Sequence, residues 1–207
     1  AVASVVPSTW RLTVMGGDAG GVAGKLDDFP GMTLGFYQLR PTSTGHVRAR
    51  STNPFELPEV QPNYLGSAND QQVAVDALRL ARRMLRSEPL RPYFGTDEFP
   101  PATAERDDEL LACARQRGGT GWHFMGTCRM GPASDPASVV DPQLRVIGLE
   151  GLRVADASIM PTMPSGNTGA PTMMIAEKAA DLILGKAPPP AEWPEGRPQN
   201  GGSGSAH

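Results

Sequence analysis

The 207-residue chain carries 19 Lys and Arg against 22 Asp and Glu, a formal charge of −3, so it lacks the basic excess of a phosphate-backbone binder and no nucleic-acid partner is expected. No run approaches the roughly 18 uninterrupted apolar residues of a membrane helix, so no membrane span is expected either. The 24 glycines and 21 prolines follow no collagen period, exceed the roughly one residue in eight of ordinary usage, and indicate tight turns and irregular segments within one or two domains.

The chain opens on AVASVVPSTW, with neither an initiator Met nor a signal-peptide pattern, which reads as an internal or processed start. Residues 1–24 run into MGGDAGGVAG, a flexible-loop signal. MTLGFYQLRP (32–41) is rich in β-preferring residues and predicts a strand ended by Pro41. A turn over Thr42–Gly45 leads to HVRARS (46–51), whose alternation predicts a half-exposed second strand. Pro54, Pro58 and Pro62 break up the stretch leading to NYLGS. A helix follows from about Asn69 to Arg86, with Ala74, Leu78, Ala81 and Leu85 on one face, Asp70 at its start and Arg82, Arg83 and Arg86 at its end. Pro89 stops it. A second helix, about Ala104 to Gln116, has acidic first turns and closes on Arg115, Arg117 and two glycines. After the Gly-rich GGTGWHFMGTCRMG (118–131), VVDPQLRVIGLEGLRVADASIMP (139–161) holds two short apolar pieces around a Gly-Leu-Glu-Gly turn, and LRVADAS reads as a buried strand ending in a carboxylate. A final helix spans about Ala170 to Leu184, stopped by Gly185 with Pro188 beyond. Residues 188–207 read as a disordered Pro/Gly-rich tail or linker. Two cysteines, Cys113 and Cys128, are too few for a disulfide scaffold, and no metal-ligand spacing surrounds them.

Three positions are candidates for chemistry. His123, in WHFMG, carries the side chain best suited to accept a proton near neutral pH, among glycines at 118, 119, 121 and 126 that let backbone approach a bulky ligand. The plain alternative is a structural histidine in a glycine-rich bend. Asn167, in SGNTGAPTMM, stands where a helix begins. Asn and Thr are favoured N-caps, and locally a cap is the better reading, but the same exposed N–H groups also make a site for a developing anion. Asp156 follows an apolar run, as do carboxylates that hold a ribose hydroxyl or a backbone amide. G-x-G-x-x-G and P-loop patterns do not occur, so the chain lacks the usual phosphate cradle of a nucleotide site.

Four segments in order resemble the C-terminal half of the glucose-methanol-choline (GMC) oxidoreductases, a flavoenzyme family: RPTSTGHVRARSTNPFELPEVQPNYL (40–65), GWHFMGTCRMG (121–131), VVDPQLRVIGLEGLRVADASIMP (139–161) and SGNTGAPTMMIAEKAADLI (165–183). The resemblance covers roughly residues 30–185 and implies an α/β (α+β) fold. That fold is a substrate domain with an antiparallel sheet (mainly residues 1–145), plus a C-terminal strand and helix (146–187) completing a Rossmann-like FAD domain. It implies FAD as cofactor, His123 as catalytic base, and Asn167 at the second active-site position, hydrogen-bonding the substrate oxygen. By the same resemblance Asp156 and Ala157 lie against the FAD chain, Asn167 and Thr168 meet the pyrimidine edge of the flavin, and Trp122 stands near the ring. The implied reaction is oxidation of a primary alcohol, with aryl and furan alcohols among the candidates suggested by Trp122 and Phe124, and with hydride passing to flavin N5. Oxygen or a quinone would be the electron acceptor. The implied partner is an N-terminal GMC fragment carrying the dinucleotide-binding motif that this chain lacks. Hydroxynitrile cleavage on the same scaffold, or a non-catalytic binding subunit, are the alternatives.

Overall fold

The computed structural model describes residues 2–3, 10–15, 33–95 and 99–187. Three antiparallel strands, β1 (Val2–Ala3), β2 (Trp10–Met15) and β3 (Thr33–Gln38), form a sheet in that order. The β2–β3 register runs from Trp10 opposite Gln38 to Met15 opposite Thr33. β3 answers the expected strand, but β2 lies in the stretch read as the approach to a loop. Its alternating Leu12, Val14 and polar neighbours pair with a strand that begins at Thr33, far along the sequence, and such long-range pairing leaves no local mark. The glycine-rich stretch 16–24 and the expected tail at 188–207 lie outside the described residues.

A two-stranded hairpin, β4 (His46–Arg48) with β5 (Glu59–Gln61), follows. β5 fits between Pro58 and Pro62, each just outside it, so neither ring removes a ladder donor. Gly45 is required where the hairpin closes: a β-carbon there would stand 1.9 Å from the Gln61 carbonyl oxygen. Asn63, at φ 55°, donates from Nδ2 to the Thr44 carbonyl at 3.0 Å and ties the hairpin's exit back to its entry.

α1 (Ala68–Leu85) is capped by Ser67, whose Oγ accepts the Asp70 N–H at 3.1 Å. It buries Ala74, Leu78 and Ala81 of the expected face together with Val75 and Ala77, while Leu85, also expected there, is half-buried. α2 (Asp107–Arg117) begins where Glu109 accepts the N–H groups of Glu105 and Arg106, both at 3.0 Å. These helices meet around Val75, Leu78, Ala104 and fully buried Leu110, against which Phe36 of β3 packs. Removing such apolar surface from water stabilises at about 25 cal/mol per Å².

A second core gathers Val140, Leu144, Ile159, Met160, Ile175 and Ala179. Ile175 and Ala179 belong to α3 (Gly169–Ile183), and Ile159 lies in a 3-10 turn over Ala157–Ile159. The expected buried strand over LRVADAS does not form. Arg153 makes one bridge to Arg145, Leu152 and Asp156 are exposed, and the chain then coils into the 3-10 turn. The carboxylate explains this. Asp156 accepts the Ser158 N–H at 2.8 Å, the local bond by which aspartates draw a chain out of a ladder and into a turn.

Candidate active site

The His123 segment is held from behind by backbone. The N–H groups of Gly126, Cys128 and Met130 donate to the carbonyls of Ala157, Ser158 and Ile159 at 3.4, 2.9 and 2.8 Å. This zipper lies over the second core, into which Met125 and Met130 pack. It sets the histidine-bearing loop beside the segment that leads, ten residues on, into α3.

At the start of α3 the two candidate segments meet. Thr168 occupies the N-cap position, yet its side chain makes no cap bond. Its hydroxyl lies 3.0 Å from His123 Nδ1, and its own N–H points at the same nitrogen from 3.5 Å. Thr168 is only 6% exposed, so this contact is sheltered from water. With Nδ1 occupied by Thr168, Nε2 is the nitrogen left to meet a substrate. An N-cap is worth about 1 kcal/mol to a helix, and here that stabilisation is forgone for a bond to an imidazole. The cap reading of Asn167 also gives way. Its Oδ1 accepts a hydrogen bond from the Tyr37 hydroxyl at 2.7 Å, across 130 residues of sequence.

A glycine, an alanine and a proline shape what α3 offers next. The amides of Gly169 and Ala170 are first-turn donors with no helical acceptor, and Pro171 has no N–H. A β-carbon on Gly169 would meet nothing within 4 Å, so the space beside this helix start is open. Trp122 borders the histidine, is 80% exposed, and holds its backbone at φ 59°, a conformation bulky residues rarely adopt. The Thr120 hydroxyl accepts the Trp122 N–H at 3.0 Å and keeps the bend in place. Backbone strain of this kind persists where its surroundings over-determine it, and it clusters at functional sites.

His123, Asn167 and Thr168 are therefore brought together, with Trp122 adjoining. Asp156 and Ala157 are not in side-chain contact with them. Asp156 caps its own turn, Ala157 packs on the second core, and their link to the histidine is the backbone zipper. Three contributors escaped the sequence reading: Tyr37, Arg40 and Ser165. Arg40 donates to the Met163 carbonyl at 2.9 Å and to the Ser165 hydroxyl, gripping the loop that carries Asn167. The one available signal was the alternation of β3, which sends Phe36 to the helices and Tyr37 to the opposite face. Tyr64 and Phe124 add an aromatic edge, their centroids 6.3 Å apart at an interplanar tilt of 30°. Among the described residues no cluster of His, Cys, Asp or Glu could hold a metal ion, and no helix is long and apolar enough to cross a membrane.

The family model described as GMC oxidoreductase matches residues 41–176. Human mitochondrial choline dehydrogenase is 46% identical over 155 residues, covering 75% of this chain and 26% of that protein. The alcohol dehydrogenase [acceptor] of Pseudomonas putida is 43% identical over 156 residues, covering 75% of this chain and 28% of its own length. Among solved structures, pyridoxine 4-oxidase from Mesorbium loti superimposes with a TM-score of 0.73 at 28% identity, covering 86% of this chain and 35% of that one. The match thus spans about a quarter of the length of the two sequence relatives.

Proposed function

The chain belongs to the GMC oxidoreductase family, and from that premise we propose that it supplies the proton-accepting side of a site that oxidises a primary alcohol to an aldehyde with FAD. The observation that carries the reading is the pairing of His123 Nδ1 with the Thr168 hydroxyl at 3.0 Å, which joins segments 45 residues apart at an uncapped helix start.

The residues present fit a flavin. Open space beside Gly169, first-turn amides at Gly169 and Ala170 without helical acceptors, and an exposed Trp122 suit a planar group that gathers negative charge on one edge. Trp122, Asn167 and Thr168 would stand against that ring, and Asp156 and Ala157 against the rest of the cofactor. When bound, FAD supplies the hydride acceptor, at its N5.

The chain's own residues do the rest. With Nδ1–H donating to the Thr168 hydroxyl, the lone pair of His123 lies on Nε2 and takes the alcohol proton there as the C–H bond breaks. A base positioned in this way contributes roughly 10²- to 10⁴-fold. The Asn167 amide hydrogen-bonds the substrate oxygen and holds the alkoxide that develops there. The helix start favours negative charge close by, and it is already oriented before the reaction begins. Phe124 and Tyr64 offer an apolar edge suited to aryl or furan alcohols as well as to small aliphatic ones.

In this reading residues 1–145 are mainly substrate domain, and 146–187 complete a Rossmann-like FAD domain. An N-terminal FAD-binding portion, carrying the dinucleotide motif absent here, is the necessary partner, joined or separate, and oxygen or a quinone takes the electrons away. The test is His123→Ala in the full-length holoenzyme. Anaerobic mixing with choline, a primary aliphatic alcohol, benzyl alcohol and furfuryl alcohol should bleach the flavin of the parent with at least one of them. The variant should keep its flavin and bleach about 10²- to 10⁴-fold more slowly. Unchanged reduction kinetics would overturn the assignment.

A further inference from the structure

We propose that Tyr37 is a positioning residue that fixes which face of the Asn167 carboxamide meets the substrate. The proposal rests on the alcohol-oxidation reading above and adds a residue to it from the far end of the chain.

A carboxamide is nearly symmetric in shape and opposite in chemistry on its two sides. One side is an acceptor oxygen; the other is an NH₂ with two donors. For an oxygen losing its proton only the NH₂ side helps, and the carbonyl side, turned the same way, repels. Rotation of the amide by half a turn therefore converts a stabilising contact into an unfavourable one at almost no steric cost. The selection has to come from a neighbour. Tyr37 supplies it by donating its phenolic O–H to Asn167 Oδ1 at 2.7 Å. A phenolic hydroxyl donates more strongly than it accepts, so it favours the amide orientation that presents Oδ1 over the flipped one that presents NH₂.

The neighbour is itself held. Tyr37 is the fifth residue of β3, a strand paired with β2 along six residue pairs. Alternation commits its side chain to the face opposite Phe36, and Phe36 is anchored against the core between α1 and α2. Just beyond the strand, Arg40 donates to Met163 and Ser165. The end of β3 thus grips Met163, Ser165 and Asn167, alternate residues of a loop that has no secondary structure of its own. Loops position poorly unless tied to a rigid element, and β3 is that element here. The contact also runs from the sheet to the start of α3, so the amide is set by strand register and not by the local fold of its loop.

The expectation differs from that for a tyrosine that only packs. Losing the phenolic hydroxyl should change the rate at which bound alcohol reduces the flavin, and the change should depend on Asn167. The experiment compares Tyr37→Phe, Asn167→Ala, Asn167→Asp and the double variant Tyr37→Phe/Asn167→Ala as full-length holoenzymes, by anaerobic stopped-flow. The alcohol used is the one that reduces the parent fastest. Tyr37→Phe should lower the limiting reduction rate roughly 3- to 10-fold, the effect of one hydrogen bond between neutral groups, with flavin content and the half-saturating alcohol concentration little changed. The double variant should match Asn167→Ala, because the hydroxyl has nothing left to orient. Asn167→Asp keeps an acceptor for Tyr37 but puts a negative oxygen where the amide donor stood, and should be at least as slow as Asn167→Ala. If Tyr37→Phe is as fast as the parent, or if its loss multiplies with that of Asn167→Ala, the positioning role is wrong while the Asn167 assignment survives. If Asn167→Ala itself reduces flavin at the parent rate, the reading of Asn167 fails first, and the role of Tyr37 falls with it.

Discussion

Asp70 offers the most quantitative test of how the candidate site is held in place. The carboxylate is 3% exposed and sits at the third position of α1. Its Oδ1 accepts the Thr42 N–H at 2.9 Å and the Thr42 hydroxyl at 3.0 Å, and its Oδ2 accepts the Ser43 N–H at 2.8 Å. Thr42 and Ser43 lie directly after Arg40 and Pro41, so these bonds pin the exit of β3 to α1. Burial pushes the carboxyl pKa up, but hydrogen bonds from Ser43 and Thr42, side chain and backbone alike, outweigh it and hold the group well below the usual carboxylate range. In Asp70→Asn one oxygen becomes an NH₂. If the remaining oxygen keeps Thr42, the new donor faces the Ser43 N–H. One bond to a charged group is then lost, at about 1.5–3 kcal/mol, and two more fall from charged to neutral strength, at about 0.5–1 kcal/mol each. Together these come to about 2.5–5 kcal/mol of local stability. At 1.4 kcal/mol per tenfold, the Thr42 and Ser43 amides should exchange with deuterium roughly 60- to 4,000-fold faster, read by mass spectrometry on a peptide spanning residues 40–46. Acceleration below about threefold would refute the reasoning. The pH dependence has a definite sign. A depressed carboxyl stabilises fully above its unfolded value of about 3.9, and that contribution is lost as the pH falls through the lower folded value. The parent should therefore lose protection at these amides on acidification, and the variant, already without the carboxylate, should show a flatter acid limb.

Two further outcomes follow from contacts at the site and at the hairpin. Thr168→Val, which removes the hydroxyl on His123 Nδ1, should slow anaerobic flavin reduction about 2- to 10-fold, and Thr168→Ser should restore most of it; a serine variant as slow as the valine would mean that the methyl group, not the hydroxyl, matters. Gly45→Ala, whose new methyl would stand 1.9 Å from the Gln61 carbonyl, should open the β4–β5 hairpin and raise exchange at the amides of residues 46–48 and 59–61, whereas parent-like protection there would show that the turn can yield.

The helices were legible because their signals are local. The stripe of Ala74, Leu78 and Ala81, the acidic first turns and the arginine-rich ends all act within a few residues, and the observed ends lie within about three residues of those expected. What the sequence hid was set by distant partners. Trp10–Met15 is a strand only because Thr33–Gln38 lies beside it. LRVADAS has a strand's composition, but Asp156 finds its bond two residues ahead and turns the chain. At the start of α3, Asn167 and Thr168 both have the composition of caps. Their side chains go instead to Tyr37 and His123, partners 130 and 45 residues away. Composition identified the residues that matter; it carried no trace of which distant group would claim each one.

The zipper between Gly126–Met130 and Ala157–Ile159 bears on where this chain tolerates changes in length. His123 lies three residues before its first rung, and Thr168 nine residues after its last carbonyl. Between the two rails Val140 and Leu144 return to the second core, but the turn at 132–137 and the Gly148–Gly151 bend lie outside that frame. Residues added or removed at those tips leave the spacing of the imidazole from the start of α3 untouched. A single residue added between Ile159 and Thr168 slides the whole helix start past the histidine. Natural length variation and engineered insertions alike are therefore expected to collect in the outer turns and to spare the nine-residue span that leads to the helix.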